Sequence, residues 1–268
     1  MAATPSNPII LYDIPASTEL KAWAINIWKT RLLLNLKGLP YRTEWVSYPD
    51  IQPTFEKLGI KHTSLKTDGS GRPHYTCPAI IDPTSPEPTK LSDSTPIALY
   101  IEETYPNVGP KVFPDASKDA QLEFIDTVVW DIIHPISSLV TAQVPAILDP
   151  RGSEYFYRER SALRGKPLET VCLAGSDERK QAWEDLKRGL DAIAKIYDRN
   201  VEGKGEYFAG SDITYADIYL AAIFLWARIP SDRDQDLNVD SVWGGIAKLN
   251  DGRWEKFMQK FEGLLQVN

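Results

Sequence analysis

A short polar segment, Ser92-Asp93-Ser94-Thr95-Pro96, precedes a stretch predicted to be helical through Glu103. Serine and aspartate are favoured just before a helix, and proline is favoured in its first turn. The first N–H groups of a helix have no partner inside it and lie at the positive end of its dipole, so they can bind a carboxylate. Ser94 adds a hydroxyl and an N–H group, and Asp93 can pair with an amine. A plain helix cap is the alternative role of these residues.

Cysteine and histidine are sparse. The two cysteines, Cys77 and Cys172, form no CxxC motif and no Cys/His cluster, which argues against a disulfide scaffold and against a structural zinc site. The three histidines share no spacing with carboxylates or with each other that indicates a catalytic triad or a metal site: His62, His74 and His134. We therefore expect no metal.

Composition excludes several classes of protein. The chain has 268 residues, of which 43% are hydrophobic and 25% charged, values typical of a globular protein. Its 30 basic and 37 acidic residues give 30 − 37 = −7, the opposite of the basic footprint of a nucleic-acid-binding protein. No stretch approaches the ~20 apolar residues of a membrane span, and the first residues show no secretion signal. We expect a cytoplasmic protein that contacts neither nucleic acid nor membrane.

The first part of the chain predicts a mixed α/β domain. A buried strand over residues 9–14, a helix over 26–36 that stops at Gly38 and Pro40, and a strand over 41–48 indicate a parallel βαβ unit. A short helix at 54–58, a strand at 77–82 with its proline at the start, an edge strand at 90–91 and the helix after Ser94 complete the order βαβ-αββα.

From about Asp115 onward the pattern is helical, with no convincing strand. The boundary is placed in the loop 107–115, giving domains at 1–106 and 115–268. Thr214-x-x-Asp217 is a variant of the capping box at the start of one helix. The predicted helices cover residues 119–139, 153–163, 177–200, 214–229 and 254–265.

Several of these segments, in this order, resemble the glutathione transferases. One such segment is Asp93-Ser94, which precedes a helix and lies fifteen residues after Pro78. A second segment is the run from Phe208 to Ile218. Tyr12-Asp13-Ile14, Trp28-Lys29-Thr30-Arg31 and Lys37-Gly38-Leu39-Pro40-Tyr41 are similar to the fungal-specific class A of that superfamily, which is related to bacterial β-aryl-ether-cleaving enzymes. The resemblance covers the whole chain and implies a thioredoxin-like domain followed by a helical-bundle domain.

The resemblance also implies a binding site for glutathione as co-substrate. Asp93 and Ser94 are expected to bind the γ-glutamyl end. Pro78 is expected to be cis, with the backbone of Cys77 paired to the peptide backbone of glutathione. Most family members carry an aliphatic residue where this chain has Cys77. Two roles are open for its thiol: it forms a mixed disulfide with glutathione, or it is a small, buried and inert group.

The group that activates the glutathione thiol is the difficult point. The etherase-like relatives place a serine followed by proline four residues before the tryptophan, where this chain has Ala24 and Ile25. A hydroxyl or amide donor must otherwise lower the thiol pKa. We rank Asn26 first, assisted by backbone N–H groups of the helix start, then Ser17, then Tyr12. The alternative is that none of the three activates the thiol.

The second domain is expected to contribute a hydrophobic acceptor site. Phe124 and Trp130 are assigned to it, although most aromatic residues belong to a core. The resemblance implies a homodimer that conjugates or reduces aromatic or phenolic electrophiles. Two alternatives stay open: a non-catalytic, ligandin-type protein that binds glutathione and aromatic molecules, which Ala24 favours, and an interaction module that shares only the fold.

Overall fold

The computed structural model describes residues 3–114, 116–201, 206–231 and 241–268, and these form two compact units. The first unit contains the chain up to Pro110 together with Leu148–Tyr155 and Leu264–Asn268. The second contains Lys111–Ile147 and Phe156–Gly263. Asp115, the predicted start of the second domain, lies outside the described residues.

The first unit is built on a four-stranded mixed sheet, as the βαβ-αββα pattern predicts. The strand order is β2-β1-β5-β6, in which β1 and β2 are parallel and β5 is antiparallel to both β1 and β6. Most apolar residues of β1 and β5 are buried because these two strands occupy the centre of the sheet, and only Ile10 and Ile81 are half-buried. The elements are β1 Ile9–Asp13, α1 Ile25–Lys37, β2 Tyr41–Trp45, α2 Ile51–Leu58, β3 Ser64–Leu65, β4 Pro73–His74, β5 Ala79–Asp82, β6 Thr89–Ser92 and α3 Ser94–Thr104.

Helix α1 is the crossover between β1 and β2, and it is buried on nearly all sides. Gly38 ends it with a φ of 65°, and its N–H group reaches the carbonyls of Leu34 and Asn35, a conformation that glycine adopts without strain. Three basic residues of the helix are buried along with its apolar ones: Lys29, Arg31 and Lys37.

Strand β2 is shorter than predicted. It ends at Trp45, and residues 48–50 form a 3₁₀ turn instead of continuing the strand to Tyr48. The turn is held by the segment 148–155, because the Ser47 hydroxyl donates to Asp149 Oδ2 at 2.8 Å and the Tyr48 ring stacks on Tyr155 at 5.8 Å. These partners lie about a hundred positions away along the chain, so no local pattern indicates them.

The segment 264–268 completes the first unit along the edge strand β2. The N–H group of Thr43 donates to the carbonyl of Asn268 at 2.8 Å, and the Tyr41 hydroxyl donates to the carbonyl of Gln266 at 3.0 Å. The Asn35 amide of α1 donates to the carbonyls of Leu264 and Gln266. Edge-strand polar groups that would otherwise face solvent are thereby paired.

The second unit is helical, and its described part contains no strand. Its central helix, α8, is almost wholly buried up to Ile229. The elements are α4 Lys118–Glu123, a π-helical turn Phe124–Val128, α5 Trp130–Val140, α6 Pro150–Arg164, whose first residues belong to the first unit, α7 Asp177–Val201, α8 Tyr215–Ser231, α9 Val242–Lys248 and α10 Arg253–Gln259.

Two predicted helices are wrong in their extent. The single helix expected over 119–139 is divided by the π-helical turn, a local widening that adds one residue to a turn. The helix expected over 254–265 ends at Gln259, and residues 262–264 form a separate 3₁₀ turn leading into the segment on β2.

The capping interaction predicted for Thr214 and Asp217 is confirmed. The N–H and hydroxyl groups of Thr214 both donate to Asp217 Oδ2, at 2.8 and 2.6 Å. Asp217 Oδ1 accepts from the N–H of Phe208 and from the hydroxyl of Tyr197, which the sequence spacing does not reveal. This carboxylate therefore joins three segments of the second unit as well as capping α8.

Candidate functional site

A fully buried ion pair fixes α1 to the sheet of the first unit. Arg31 Nη2 lies 2.6 Å from Asp13 Oδ2, and Arg31 Nη1 donates to the Tyr41 and Thr43 hydroxyls. Burial raises the pKa of Asp13 to about 6, while Arg31 and the N–H group of Ile14 oppose the rise. The pair holds the first turns of α1 against the end of β1.

The start of α1 presents donors to solvent. Ala24 is the N-cap residue, and the first helical hydrogen bonds run from the N–H groups of Ile27 and Trp28 to its carbonyl. The preceding N–H groups, those of Ile25 and Asn26, have no partner within the helix by geometry. Asn26 is exposed, and its Oδ1 accepts a hydrogen bond from Lys29 Nζ at 2.9 Å. This helix start can therefore donate to an anion.

Lys29 is a residue of the site that the sequence analysis missed. It is only 2% exposed, and burial lowers its pKa well below the usual value, with the charge of Asp93 acting in the opposite direction. A signal was available in the sequence. The apolar residues of α1 surround the whole helix, and a helix that is apolar on all sides is buried together with its charged residues. These apolar residues are Ile27, Leu32, Leu33 and Leu34.

The Cys77–Pro78 peptide bond is cis, as the resemblance implies. Strands β5 and β6 pair Ala79 with Ser92, so Pro78 and Asp93 lie next to each other beyond the same end of the sheet. The N–H group of Asp93 donates to the carbonyl of Pro78 at 3.1 Å. The register thus brings the proline loop and the start of α3 together.

Asp93 and Ser94 form the start of α3. Asp93 has a φ of 79°, a conformation uncommon for a residue other than glycine, and its carbonyl accepts the first helical bond from the N–H of Ile97. Ser94 is buried as the first residue of the helix. The N-terminal N–H groups of α3 and the Asp93 carboxylate can bind an anionic and a cationic group side by side.

The thiol of Cys77 is buried beside this loop. Burial raises its pKa well above the usual value, and the negative charge of Asp13 adds to the rise. A thiol in this state holds its proton and is a poor nucleophile. Of the two roles considered for Cys77, this environment favours the small, inert residue.

The other two ranked donors have different surroundings. Ser17 is exposed in the loop between β1 and α1. Tyr12 packs edge-to-face on Phe55 of α2 with ring centroids 5.5 Å apart, and burial raises its pKa. Tyr12 borders a cavity of about 500 Å³ whose other lining residues come from β2, the turn after it and α2. Among the described residues, neither Asn26 nor Ser94 lines that cavity.

The two aromatic residues assigned to an acceptor site have different surroundings. Phe124 is buried between Phe208 and Tyr197, with ring centroids 4.9 and 6.5 Å away. Trp130 is 44% exposed, and its ring lies beside His134. Phe124 is the first residue of the π-helical turn, and Trp130 is the first residue of α5. The environment of Phe124 suits a core residue, whereas that of Trp130 leaves its ring open to a ligand.

The described part of the chain has neither a cluster of metal-binding side chains nor a helix that could span a membrane. No group of three or more His, Cys, Asp or Glu side chains within residues 3–114, 116–201, 206–231 and 241–268 is arranged to hold a metal ion. Within the same residues, no helix is both long enough and apolar enough to cross a membrane.

The first unit is a four-stranded mixed sheet of the thioredoxin-like kind, with a cis-proline loop beside a helix start, and the second unit is helical. The family models for the N-terminal and C-terminal domains of glutathione S-transferases match residues 26–104 and 120–264. The chain therefore belongs to the glutathione S-transferase family.

Individual relatives resemble the chain along nearly its whole length. The glutathione S-transferase-like protein ustS of Aspergillus flavus is 30% identical over 98% of this chain and 94% of its own. The structure of glutathione transferase GSTFuA3 from Phanerochaete chrysosporium has 39% identity and a TM-score of 0.87 over 97% of this chain and 98% of that one. A glutathione S-transferase of Ceriporiopsis subvermispora, solved in complex with glutathione, has 34% identity and a TM-score of 0.86, over 98% and 99%.

Proposed function

We propose that this chain binds glutathione in its first unit and uses it to conjugate or reduce hydrophobic aromatic or phenolic electrophiles. The observation that carries the proposal is the hydrogen bond from the N–H of Asp93 to the carbonyl of cis Pro78, which places the proline loop beside the start of α3. The glutathione complex of the Ceriporiopsis relative supports the choice of ligand.

Different residues of the first unit bind different parts of glutathione. The N–H groups at the start of α3 and the Ser94 hydroxyl bind the γ-glutamyl carboxylate, and Asp93 pairs with the α-amine. The backbone of Cys77 hydrogen-bonds the peptide groups. The thiol then lies at the start of α1, where Asn26 and the first N–H groups of the helix stabilise its negative charge.

Thiol ionisation is the step that the protein promotes. The thiol releases its proton to solvent, and the thiolate attacks an electrophilic carbon; a carbon–sulfur bond forms and the leaving group departs with its electron pair. The same thiolate can attack a peroxide oxygen: the O–O bond breaks, the other oxygen leaves as the alcohol after taking up a proton, and glutathione sulfenic acid forms. A second glutathione then displaces water from the sulfenic acid to give the disulfide. Trp130 offers an exposed ring for the aromatic acceptor. A homodimer and a cytoplasmic location are further parts of this proposal.

A ligandin-type protein is the second candidate, and Ala24 is the observation that favours it. With no hydroxyl at this position, glutathione is bound as an ordinary thiol beside an aromatic ligand and no reaction follows. An interaction module without a glutathione site is a third candidate. Retention of the protein on immobilised glutathione would contradict it.

A pH titration of the bound thiol tests the proposal. Thiolate absorbance is followed in the wild type and in Asn26→Ala, and turnover of a chlorinated aromatic substrate is measured in parallel. We expect a bound-thiol pKa well below that of free glutathione, and a higher one in the variant. If glutathione binds but its thiol pKa is unshifted, and turnover does not exceed the uncatalysed rate, the protein is a ligandin and not a transferase.

A further inference from the structure

We propose that Lys29 is a positioning residue that orients the Asn26 amide so that only N–H donors face the glutathione sulfur. This inference rests on the proposed function. Its geometric basis is the 2.9 Å hydrogen bond from Lys29 Nζ to Asn26 Oδ1, made between a buried side chain and an exposed one on the same helix.

The bond decides which end of the amide is available. An asparagine side chain carries an acceptor oxygen and a donor NH₂ group on the same planar unit. Because Lys29 Nζ donates to the oxygen, the NH₂ group is the end that remains to meet an incoming ligand. A thiolate accepts such a bond, whereas a thiol needs an acceptor for its proton. The orientation therefore selects the ionised form.

Burial makes Lys29 suited to hold this orientation. Exposed lysines lose considerable side-chain entropy when fixed in one geometry, but the packing of α1 already confines the Lys29 side chain. The spacing from 26 to 29 places both side chains on one face of the helix, one turn apart. The amide is thus held by a group that does not itself depend on glutathione for its position.

The other buried cations of α1 have different partners. Arg31 pairs with the Asp13 carboxylate at 2.6 Å, and Lys37 Nζ lies 3.0 Å from Glu102 Oε2. Lys29 donates to an uncharged amide, and the carboxylate whose charge acts on it is Asp93, at the start of α3. Lys29 therefore connects the residue proposed to bind the thiol with the residue proposed to bind the amine.

The test is a double-mutant cycle on the bound thiol pKa. Lys29→Met keeps the length and packing of the side chain and removes the donor. We expect it to raise the bound-thiol pKa by about one unit, the shift that corresponds to loss of one ordinary hydrogen bond. Glutathione affinity at a pH where the thiol is protonated should not weaken. In the Asn26→Ala background, Lys29→Met should add no further shift.

Lys37→Met is the matched control, because it removes a buried cation of the same helix that contacts the 108–110 loop. It should leave the thiol pKa unchanged while lowering stability. A crystal structure of the wild type with glutathione supplies a readout that needs no variant: one terminal atom of Asn26 should stay on Lys29 Nζ and the other should lie within hydrogen-bond distance of the sulfur.

The outcomes separate this inference from the proposed function. If the wild type lowers the thiol pKa and Lys29→Met keeps that value, or shifts it equally in the Asn26→Ala background, the role of Lys29 is refuted and the transferase stands. If the wild type does not lower the thiol pKa, both are refuted. In the crystal structure, a glutathione sulfur beyond hydrogen-bond distance of Asn26 would refute the inference. This readout does not depend on whether any variant folds.

Discussion

Arg31 Nη2 and Asp13 Oδ2 are 2.6 Å apart, and neither side chain is accessible to solvent. Removing one member of such a pair leaves a buried charge without its counter-ion, which typically costs 3–5 kcal/mol. We therefore expect Arg31→Met to lower the free energy of unfolding by about 3–5 kcal/mol at pH 7. Urea denaturation measures this, and Asp13→Asn/Arg31→Met, which buries no charge, should be more stable than Arg31→Met alone.

The pH dependence of that variant has a definite sign. A carboxyl group whose pKa is raised by folding contributes stability at low pH and loses it as the pH rises through its folded-state pKa. That pKa is about 6 in the wild type, and loss of Arg31 raises it further. Arg31→Met should therefore lose more stability than the wild type between pH 5 and pH 8. Equal losses in the two proteins would show that Asp13 does not titrate as inferred.

Ser94 and Ser92 form a matched pair for glutathione binding. Ser94 starts α3, whereas the Ser92 hydroxyl donates to the carbonyl of Lys61 at 2.9 Å, away from the helix start. Loss of a hydrogen bond to a charged carboxylate corresponds to roughly tenfold in affinity. Calorimetry should show about that weakening for Ser94→Ala and none for Ser92→Ala. If the two variants bound glutathione with equal affinity, the Ser94 hydroxyl at the start of α3 would not be part of the binding site.

Phe124 and Trp130 should respond differently to truncation. Phe124 is buried in an aromatic cluster, so Phe124→Ala should cost about 3–5 kcal/mol of unfolding free energy. Trp130 is partly exposed, so Trp130→Ala should cost about 1 kcal/mol or less. If Trp130 contacts the acceptor, its variant should weaken binding of an aromatic ligand, measured by fluorescence quenching. Unchanged quenching would assign the acceptor site elsewhere.

Cys77 should resist thiol reagents in the folded protein. Both cysteines are buried, and burial raises the pKa of each thiol. We expect slow labelling by iodoacetamide at pH 8 and rapid labelling of two thiols after denaturation. Intact-mass measurement after incubation with oxidised glutathione should show no adduct. An adduct that Cys77→Ala abolishes would restore the mixed-disulfide role.

Local sequence determined the elements whose signals lie within a few residues. The order of the strands of the four-stranded sheet and their helices, the end of α1 at Gly38 and the Thr214–Asp217 cap all depend on neighbours along the chain. The short strands β3 and β4 were not predicted. The family motifs also indicated the cis Pro78 and its place before β5. These features could be predicted because turn chemistry and hydrophobic periodicity act over short distances.

Contacts between distant segments were decided only by the tertiary structure. Residues 264–268 pair with β2, the turn after β2 is bonded to Asp149, and Tyr197 and Phe208 both donate to Asp217. No periodicity in the sequence connects these parts of the chain. The extent to which Lys29 is buried was not predicted either, although the apolar residues around α1 indicate a buried helix. A lysine on a helix usually faces solvent, whereas this one is only 2% exposed. Its contact with Asn26 follows from that burial.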